Sequence, residues 1–412
     1  MSSDGRVLSR PSRPSRRFYL VMGLVVSLGP ISVDMYLPAL PEMAASLDAS
    51  DGATQMTVTA FLLGLMFGPL LAGPVSDAIG RRRPIMVALV VYTLASLSLA
   101  SVDTIEAMIF LRPIQALGSG SSFAVARSMF RDVLSGDALA KAMSVLMMIV
   151  LGAPIVAPFM GSLLLLFVGW RAIFLVLALV GALAFLAVWR RLPETLPEDR
   201  RRTLDLATSL RGYRSITRSR TAVAYAIAGG ASAGVLFAYL AASPFIFIDY
   251  YGLEEHWFSA LFAVAVVGAW LSQVVNIRYV ERVGYRRIVL IGTVSMTVLS
   301  AALWWVTRTD LWGLAGVVAA SALAVSLTHL VGPGTLTGVL DGFPHMAGSA
   351  SGFATFVRFA IGGTGSAAVA LFNDGTPKTF GVVVVVFAVI TLAAVAVAHP
   401  SKTARPRMTG DS

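Results

Sequence analysis

The chain contains no cysteine, which excludes disulfides, thiol nucleophiles and zinc-thiolate sites. Histidine is scarce too: the four residues are too scattered to assemble a metal centre. Charged side chains make up only 13% of the 412 residues, against about 25% in soluble domains, so water is not the main solvent of this chain. No glycine-rich GK[ST] loop is present, so nothing supports nucleotide-driven work. Nor do His, Asp, Glu, Ser and Lys cluster as a membrane-embedded enzyme would require. No enzymatic activity and no cofactor are expected.

What is there is apolar: 57% of residues are hydrophobic and mean hydropathy is +0.78. A bilayer core of about 30 Å takes about 20 apolar residues per helix. Apolar runs fall at 18–39, 53–73, 84–102, 105–127, 140–166 and 170–190, then at 221–247, 256–277, 288–306, 311–335, 347–372 and 379–398. Twelve spans result, six per half. The polar stretch between the halves, 191–220, is Arg-rich with the Pro-rich piece LPETLPEDRRR, and it is too short and aperiodic to build a core of its own. The expected organisation is a tail at 1–17, a six-helix bundle at 18–190, a linker at 191–220, a second bundle at 221–398 and a tail at 399–412. The apolar run after the first 17 residues lacks a small-residue cleavage site, which reads as a retained first span.

A net charge of +10 could point to nucleic acid, but the basic residues sit in short clusters between apolar runs. Lys and Arg favour the cytoplasmic side of a membrane. Placing both termini there leaves only Arg171, Arg308 and Lys378 on the other side, together with acidic Glu42, Asp48, Asp51, Asp103, Asp249, Glu254 and Glu255. The expected setting is a bacterial inner membrane, with lipid as surroundings, no nucleic-acid partner and a monomeric chain.

Two loops match at half-chain distance. GPVSDAIGRRRP begins at Gly73 and IRYVERVGYRRI at Ile277, so that Asp77 maps to Glu281, Gly80 to Gly284, Arg82 to Arg286 and Arg83 to Arg287. Each follows the second span of its half, which makes the halves parallel repeats. Asp77 can sit near a helix N-terminus and face an Arg, with Arg131 or the Arg81–Arg83 cluster as candidates. The plainer alternative is a turn with topogenic charge. The run from Gly73 to Arg83 resembles the loop signature of the major facilitator superfamily, and with the span count it implies that fold: an all-α membrane protein of twelve transmembrane helices in two six-helix bundles.

Three charges lie well inside predicted spans, away from their ends, where each costs several kcal/mol. Asp34 lies in GPISVDMYLPALP between Pro30 and Pro38, about 24 Å along the helix from Phe18, and is the best proton-carrier candidate. An acidic residue at the outer helix end is the alternative. Arg112 opens the fourth span in LRPIQALGSGSS and should face a polar cavity or partner, or else snorkel to the interface. Arg358 in SGFATFVRFAIGGTG lies roughly 15 Å deep. If Arg358 faces the cavity, rather than pairing with backbone carbonyls or snorkelling, the three charges with Asp34 ionised give a positive cavity suited to neutral or anionic substrates. Aromatic Tyr36, Phe61, Phe123, Tyr239, Phe245, Phe247, Trp270 and Phe356 are candidate cavity walls, some of which must instead face lipid. His329 in span ten is a packed neutral histidine or a second titrating group.

DMYLPALP, the RRRP loop, LRPIQALG, VARSMFRDV and GWRAIF resemble the bicyclomycin, chloramphenicol and florfenicol resistance group (Bcr/CflA type). The resemblance implies drug:proton antiport out of the cytoplasm, with Asp34 and Arg112 in the coupling site and Gln115 and Gly118 beside them. It also frames LGAPIVAPFMGSLLL in span five as a partial antiporter signature: Gly152, Pro154, Pro158 and Gly161 remain, while Ala153 interrupts the Gly-Pro pair and Ser162 replaces a glycine. Small residues and prolines there allow close approach and bending, so this span is a candidate seam for rocking helices. Import by the same fold stays open.

Overall fold

A computed structural model describes residues 16–201 and 213–399; residues 1–15 and 400–412 of the expected tails at 1–17 and 399–412, and 202–212 of the linker, lie outside the described residues. The chain is helical throughout its core. The helices are α1 (Arg16–Asp34), α2 (Leu40–Ser46), α3 (Asp51–Ile79), α4 (Arg82–Leu99), α5 (Ile105–Val133), α6 (Gly136–Phe167) and α7 (Trp170–Arg191). They continue with α8 (Arg220–Pro244), α9 (Glu255–Val283), α10 (Tyr285–Thr309), α11 (Gly313–Ser326), α12 (Thr328–Asp341), α13 (Ala347–Leu371) and α14 (Pro377–Ala398).

Eleven of these stretches are long and apolar enough to cross a bilayer, α1 with α2 and α11 with α12 each counting as one. The twelfth span is α5. Its 29 residues suffice in length, but Glu106, Arg112, Arg127, Arg131, Asp132 and several serines lower its apolarity. The most polar span is therefore the one that carries Arg112.

Two spans are interrupted. α1 stops at Asp34, and Pro38 with Pro41 restarts the chain through a 3-10 turn, Leu37–Ala39, into α2. A proline lacks the amide that would continue the ladder, so the carbonyls before it must find other partners. The second break, at Leu327, separates α11 from α12.

The chain divides into two compact units: Met1–Ala49 with Ala60–Leu206, and Ser50–Thr59 with Ala207–Ser412. The start of α3, Ser50–Thr59, belongs to the second unit. There a Cβ on Gly52 would overlap the Ala370 carbonyl of α13, and the Thr59 hydroxyl hydrogen-bonds Ser366. In the first unit α4 packs on α5 and α7, and α1 on α5, α6 and α7. In the second, α8 is the central helix, rich in Gly and Ala and enclosed by α12, α13 and α14.

The half-chain repeat is visible in backbone geometry. Gly80 between α3 and α4 has φ +95°, and Gly284 between α9 and α10 has φ +84°, the region that favours glycine. The repeat also extends to a carboxylate that the sequence match did not reach. Arg81 donates to Asp132 at the end of α5, at 2.9 Å, while Tyr285, at the position of Arg81, donates to Asp341 at the end of α12, at 2.6 Å.

Candidate functional site

In the first unit the break in α1 creates the acceptor that organises the site. Met35 N–H still reaches the Ile31 carbonyl at 3.0 Å, but the next carbonyl, that of Ser32, is one of the last four of α1, which the helix itself does not satisfy. Arg112 takes it: Nη1 and Nη2 donate to Ser32 O at 3.3 and 3.2 Å. Nη1 also donates to Gln115 Oε1 at 2.7 Å, and Gln115 Nε2 donates to Ser96 Oγ at 2.9 Å. Ser32 Oγ and the Tyr92 hydroxyl share a 2.7 Å hydrogen bond that closes the network onto α4.

The guanidinium lies 4.0 Å from the Tyr36 ring centre, 4.3 Å from Phe61 and 5.9 Å from Phe174. Arg112 is completely buried, so the snorkelling alternative does not hold. Its charge is met by a carbonyl, an amide oxygen and aromatic faces, each worth about 1–3 kcal/mol, which together offset its insertion cost. Nε stays buried without a partner.

Asp34, the last residue of α1, is 5% exposed and forms no hydrogen bond or ion pair among the described residues. It lies close in the chain to the Ser32 carbonyl that Arg112 holds, yet no Asp34–Arg112 ion pair is formed. Asp34 ends α1, as the outer-end alternative has it, but it is buried there. Gly161 of α6 faces the same break, where a Cβ would overlap the Met35 carbonyl oxygen. Pro154 and Pro158 lie inside α6, whereas Gly152 has open space around its Cα. Gly118 packs on α4, where a Cβ would come 2.7 Å from the Ala88 carbonyl. Phe123 does not join this site; its ring lies 5.8 Å from the Arg127 guanidinium.

The loop after α3 forms a second cluster in the same unit. Asp77 lies in the last turn of α3, which corrects its expected place at a helix N-terminus; the dipole there disfavours a carboxylate, and Arg81 compensates. Arg81 is buried, bonds Asp77 and Ser76 through Nη1, and reaches Asp132 Oδ2 through Nε at 2.9 Å. Arg131, the other candidate, instead donates to Ser128 Oγ at 3.0 Å. The N-terminus of α4 is capped from the linker: Glu194 accepts the Arg81 and Arg82 amides at 2.8 and 3.1 Å. Burial acts to raise the Glu194 carboxyl, but amides of Arg81, Leu196, Arg82 and Thr195 hold it below the usual glutamate value. Arg82 donates to the Trp189 carbonyl. A Cβ on Gly73 would meet nothing within 4 Å, so this glycine imposes no close approach.

In the second unit Arg358 of α13 is half-buried and forms no hydrogen bond or ion pair among the described residues. Gly332 of α12 stands beside it: a Cβ there would lie 3.2 Å from Nη1. His329, just past the break at Leu327, bonds Thr328 Oγ1 at 3.2 Å and lies within reach of the Arg358 charge. Tyr239 is packed instead in an aromatic cluster, stacked on Phe262 at 5.5 Å beside Phe247 and Phe380. Phe245 faces a cleft at the far end of α8, and Trp270 is exposed on the outer surface of its helix.

Ser32, Tyr92, Ser96, Asp132 and Glu194 take part in these clusters without having stood out in the sequence. Asp132 and Glu194 belong to the stretches RDV and LPETLP, but without a folded loop nothing marks them as partners.

The family model for the Major Facilitator Superfamily matches residues 22–367. The chain belongs to that superfamily. An uncharacterized MFS-type transporter of Bacillus subtilis, YdgK, is 33% identical over 90% of this chain and 92% of its own length. A bicyclomycin resistance protein homolog of Haemophilus influenzae is 32% identical over 84% of the chain and 86% of its own. A chloramphenicol resistance protein of Pseudomonas aeruginosa is 30% identical over 82% and 78%. The fold also matches solved structures: a D-xylose-proton symporter at TM-score 0.71 and 16% identity over 91% of this chain and 95% of that one. The nucleoside transporter NupG matches at 0.71 and 14% over 92% and 98%. The Bcr/CflA resemblance of the sequence is thus supported by named resistance proteins, and the molecule is a multi-pass membrane transporter of this superfamily.

Proposed function

We propose that the chain is a proton-coupled efflux carrier working by alternating access, with small neutral or anionic drugs or metabolites, of amphenicol or bicyclomycin type, as substrates. One observation carries the reading: a buried carboxylate without a counter-charge, Asp34, adjoins a helix break whose free carbonyl is held by a buried arginine, Arg112. Asp34 changes charge when it binds a proton, whereas a guanidinium does not. Proton uptake at Asp34 therefore alters the electrostatics of a site whose fixed charge is Arg112. Tyr36 and Gln115 shape the site through their contacts with Arg112, and Arg358 offers a second, unpaired cation to a substrate acceptor. The substrate site we propose does not include Tyr239, Phe245 or Phe123, whose contacts lie elsewhere. Export follows the relatives named for drug resistance.

The loop cluster of Asp77, Gly80, Arg81 and Arg82, with Arg131 nearby, acts as a latch that breaks and reforms during the cycle, and Pro154, Pro158 and Gly161 give α6 a seam at the α1 break. Both termini lie in the cytoplasm of a bacterial inner-membrane protein, and the carrier works as a monomer without cofactor or metal. The test is Asp34→Asn in proteoliposomes with an imposed pH gradient and chloramphenicol as substrate. Loss of pH-driven transport with intact folding is expected; preserved coupling removes Asp34 from the role.

A further inference from the structure

The second unit has an opening of its own at the end of α8 away from Arg220, where the helix runs into the π-helical turn Phe245–Tyr250. A cleft of about 270 Å³ opens there, lined by Asp51, Gln55, Phe245, Asp249, Thr376 and Phe380 among others, and no Lys, Arg or His among the described residues lines it. Asp51 is close enough for its charge to act on Asp249, yet neither enters an ion pair among the described residues. Gln55 is 2% exposed and its Oε1 is buried without a hydrogen-bond partner.

We propose that this cleft binds a small organic cation, its ammonium head held by the Asp51 and Asp249 carboxylates and Gln55 Oε1, and its apolar body against Phe245 and Phe380. Two like charges facing one space repel, and an orphaned amide oxygen keeps its desolvation cost; an ammonium group, with three donors and no acceptor, answers both. The size selects an organic ligand. At about 30 Å³ per water the cleft holds roughly nine waters, too wide a space for two carboxylates and one amide to wrap a bare metal ion at about 2.0–2.6 Å. It falls just below the roughly 300–1,000 Å³ of drug-sized pockets, and its aromatic walls suit a cation. The site shares no residue with the Arg112 or Arg358 surroundings, so it stands apart from the efflux reading.

The probe is phenethylamine, protonated at pH 7, titrated by calorimetry into the full-length protein in detergent, with 2-phenylethanol as the neutral isostere and calcium as the metal. Saturable binding of the amine alone is expected, about fivefold weaker in Asp51→Asn and in Asp249→Asn, the upper end for an exposed ion pair. Should Asp249→Asn fail to fold, Asp51→Asn at the half-buried start of α3 carries the test. Equal binding of amine and alcohol overturns the proposal, as does amine binding unchanged by the variants. Saturable calcium binding lost in the variants, without amine binding, overturns it in favour of a metal site.

Discussion

Replacing Arg112 with lysine keeps the charge and removes the fork, and the structure sets what that should cost. The guanidinium donates twice to Ser32 O, at 3.3 and 3.2 Å, once to Gln115 Oε1 at 2.7 Å, and lies between the Tyr36 and Phe61 rings at 4.0 and 4.3 Å. A lysine ammonium is a point charge on a flexible stem and cannot reproduce both the bidentate carbonyl contact and the planar stacking. Losing one charge-assisted hydrogen bond costs about 1.5–3 kcal/mol and part of the ring contact about 1 kcal/mol more. At 1.4 kcal/mol per factor of ten, proton-driven transport should fall at least about tenfold, because part of the loss appears in stability instead. The stability share should lower Tm by several degrees in detergent. The assay pairs chloramphenicol transport in proteoliposomes under a pH jump with thermal unfolding of the same preparation. Arg112→Lys with transport within about twofold of wild type and an unchanged Tm would refute the account of the Ser32 carbonyl as the residue's anchor, since a free point charge would then suffice.

Three further outcomes follow from particular contacts. Gly161→Ala puts a methyl group into the Met35 carbonyl, backbone against backbone, so α6 must move off the α1 break; a loss of about 2 kcal/mol or more in unfolding experiments is expected, whereas Gly152→Ala, in open space, should be silent. Arg358→Gln should raise the KM for an anionic substrate more than for a neutral one in transport competition, because the unpaired cation is removed without changing the helix. Glu194 is held below its ordinary value in the fold, so its capping contribution is full above about pH 4.3 and is lost as pH falls through the lowered folded value. The Tm difference between wild type and Glu194→Gln should therefore narrow on acidification below about pH 4, and a difference that widens would refute the capping assignment.

Composition and charge pattern were enough to read twelve spans and two halves, because a bilayer demands long apolar runs and basic loops whatever the packing. They were also enough to find Asp34, Arg112 and Arg358, since an ionised side chain in an apolar run announces its own cost. What stayed hidden depends on where helices stop. Asp34 reads as a residue inside a continuous span, yet α1 ends on it. Asp77 reads as a helix-start carboxylate, yet the glycine turn at Gly80 comes after it, and the start of α4 is capped by Glu194, 112 residues away from Arg82 in the chain. Tyr239 and Phe245 are as aromatic as Tyr36 in sequence, but of the three only Tyr36 stacks on a buried cation.

The two interrupted spans explain why the polar residues sit where they do. A helix that stops inside the bilayer leaves carbonyls that lipid cannot satisfy, each at a cost of several kcal/mol. In the first unit the Ser32 carbonyl is such a group, and Arg112 is the donor that answers it. The charge and the break are therefore one feature: without Arg112 the broken α1 has an orphaned acceptor, and without the break Arg112 has no carbonyl to hold. In the second unit the break at Leu327 places His329 and Gly332 near the start of α12 with Arg358 beside them, but there the guanidinium remains unpaired among the described residues. The same architecture, an arginine at a helix break, is closed on protein groups in one unit and open in the other. An open intramembrane cation is the one of the two that a substrate acceptor can still complete, which is why Arg358, and not Arg112, should set the preference for anionic over cationic cargo.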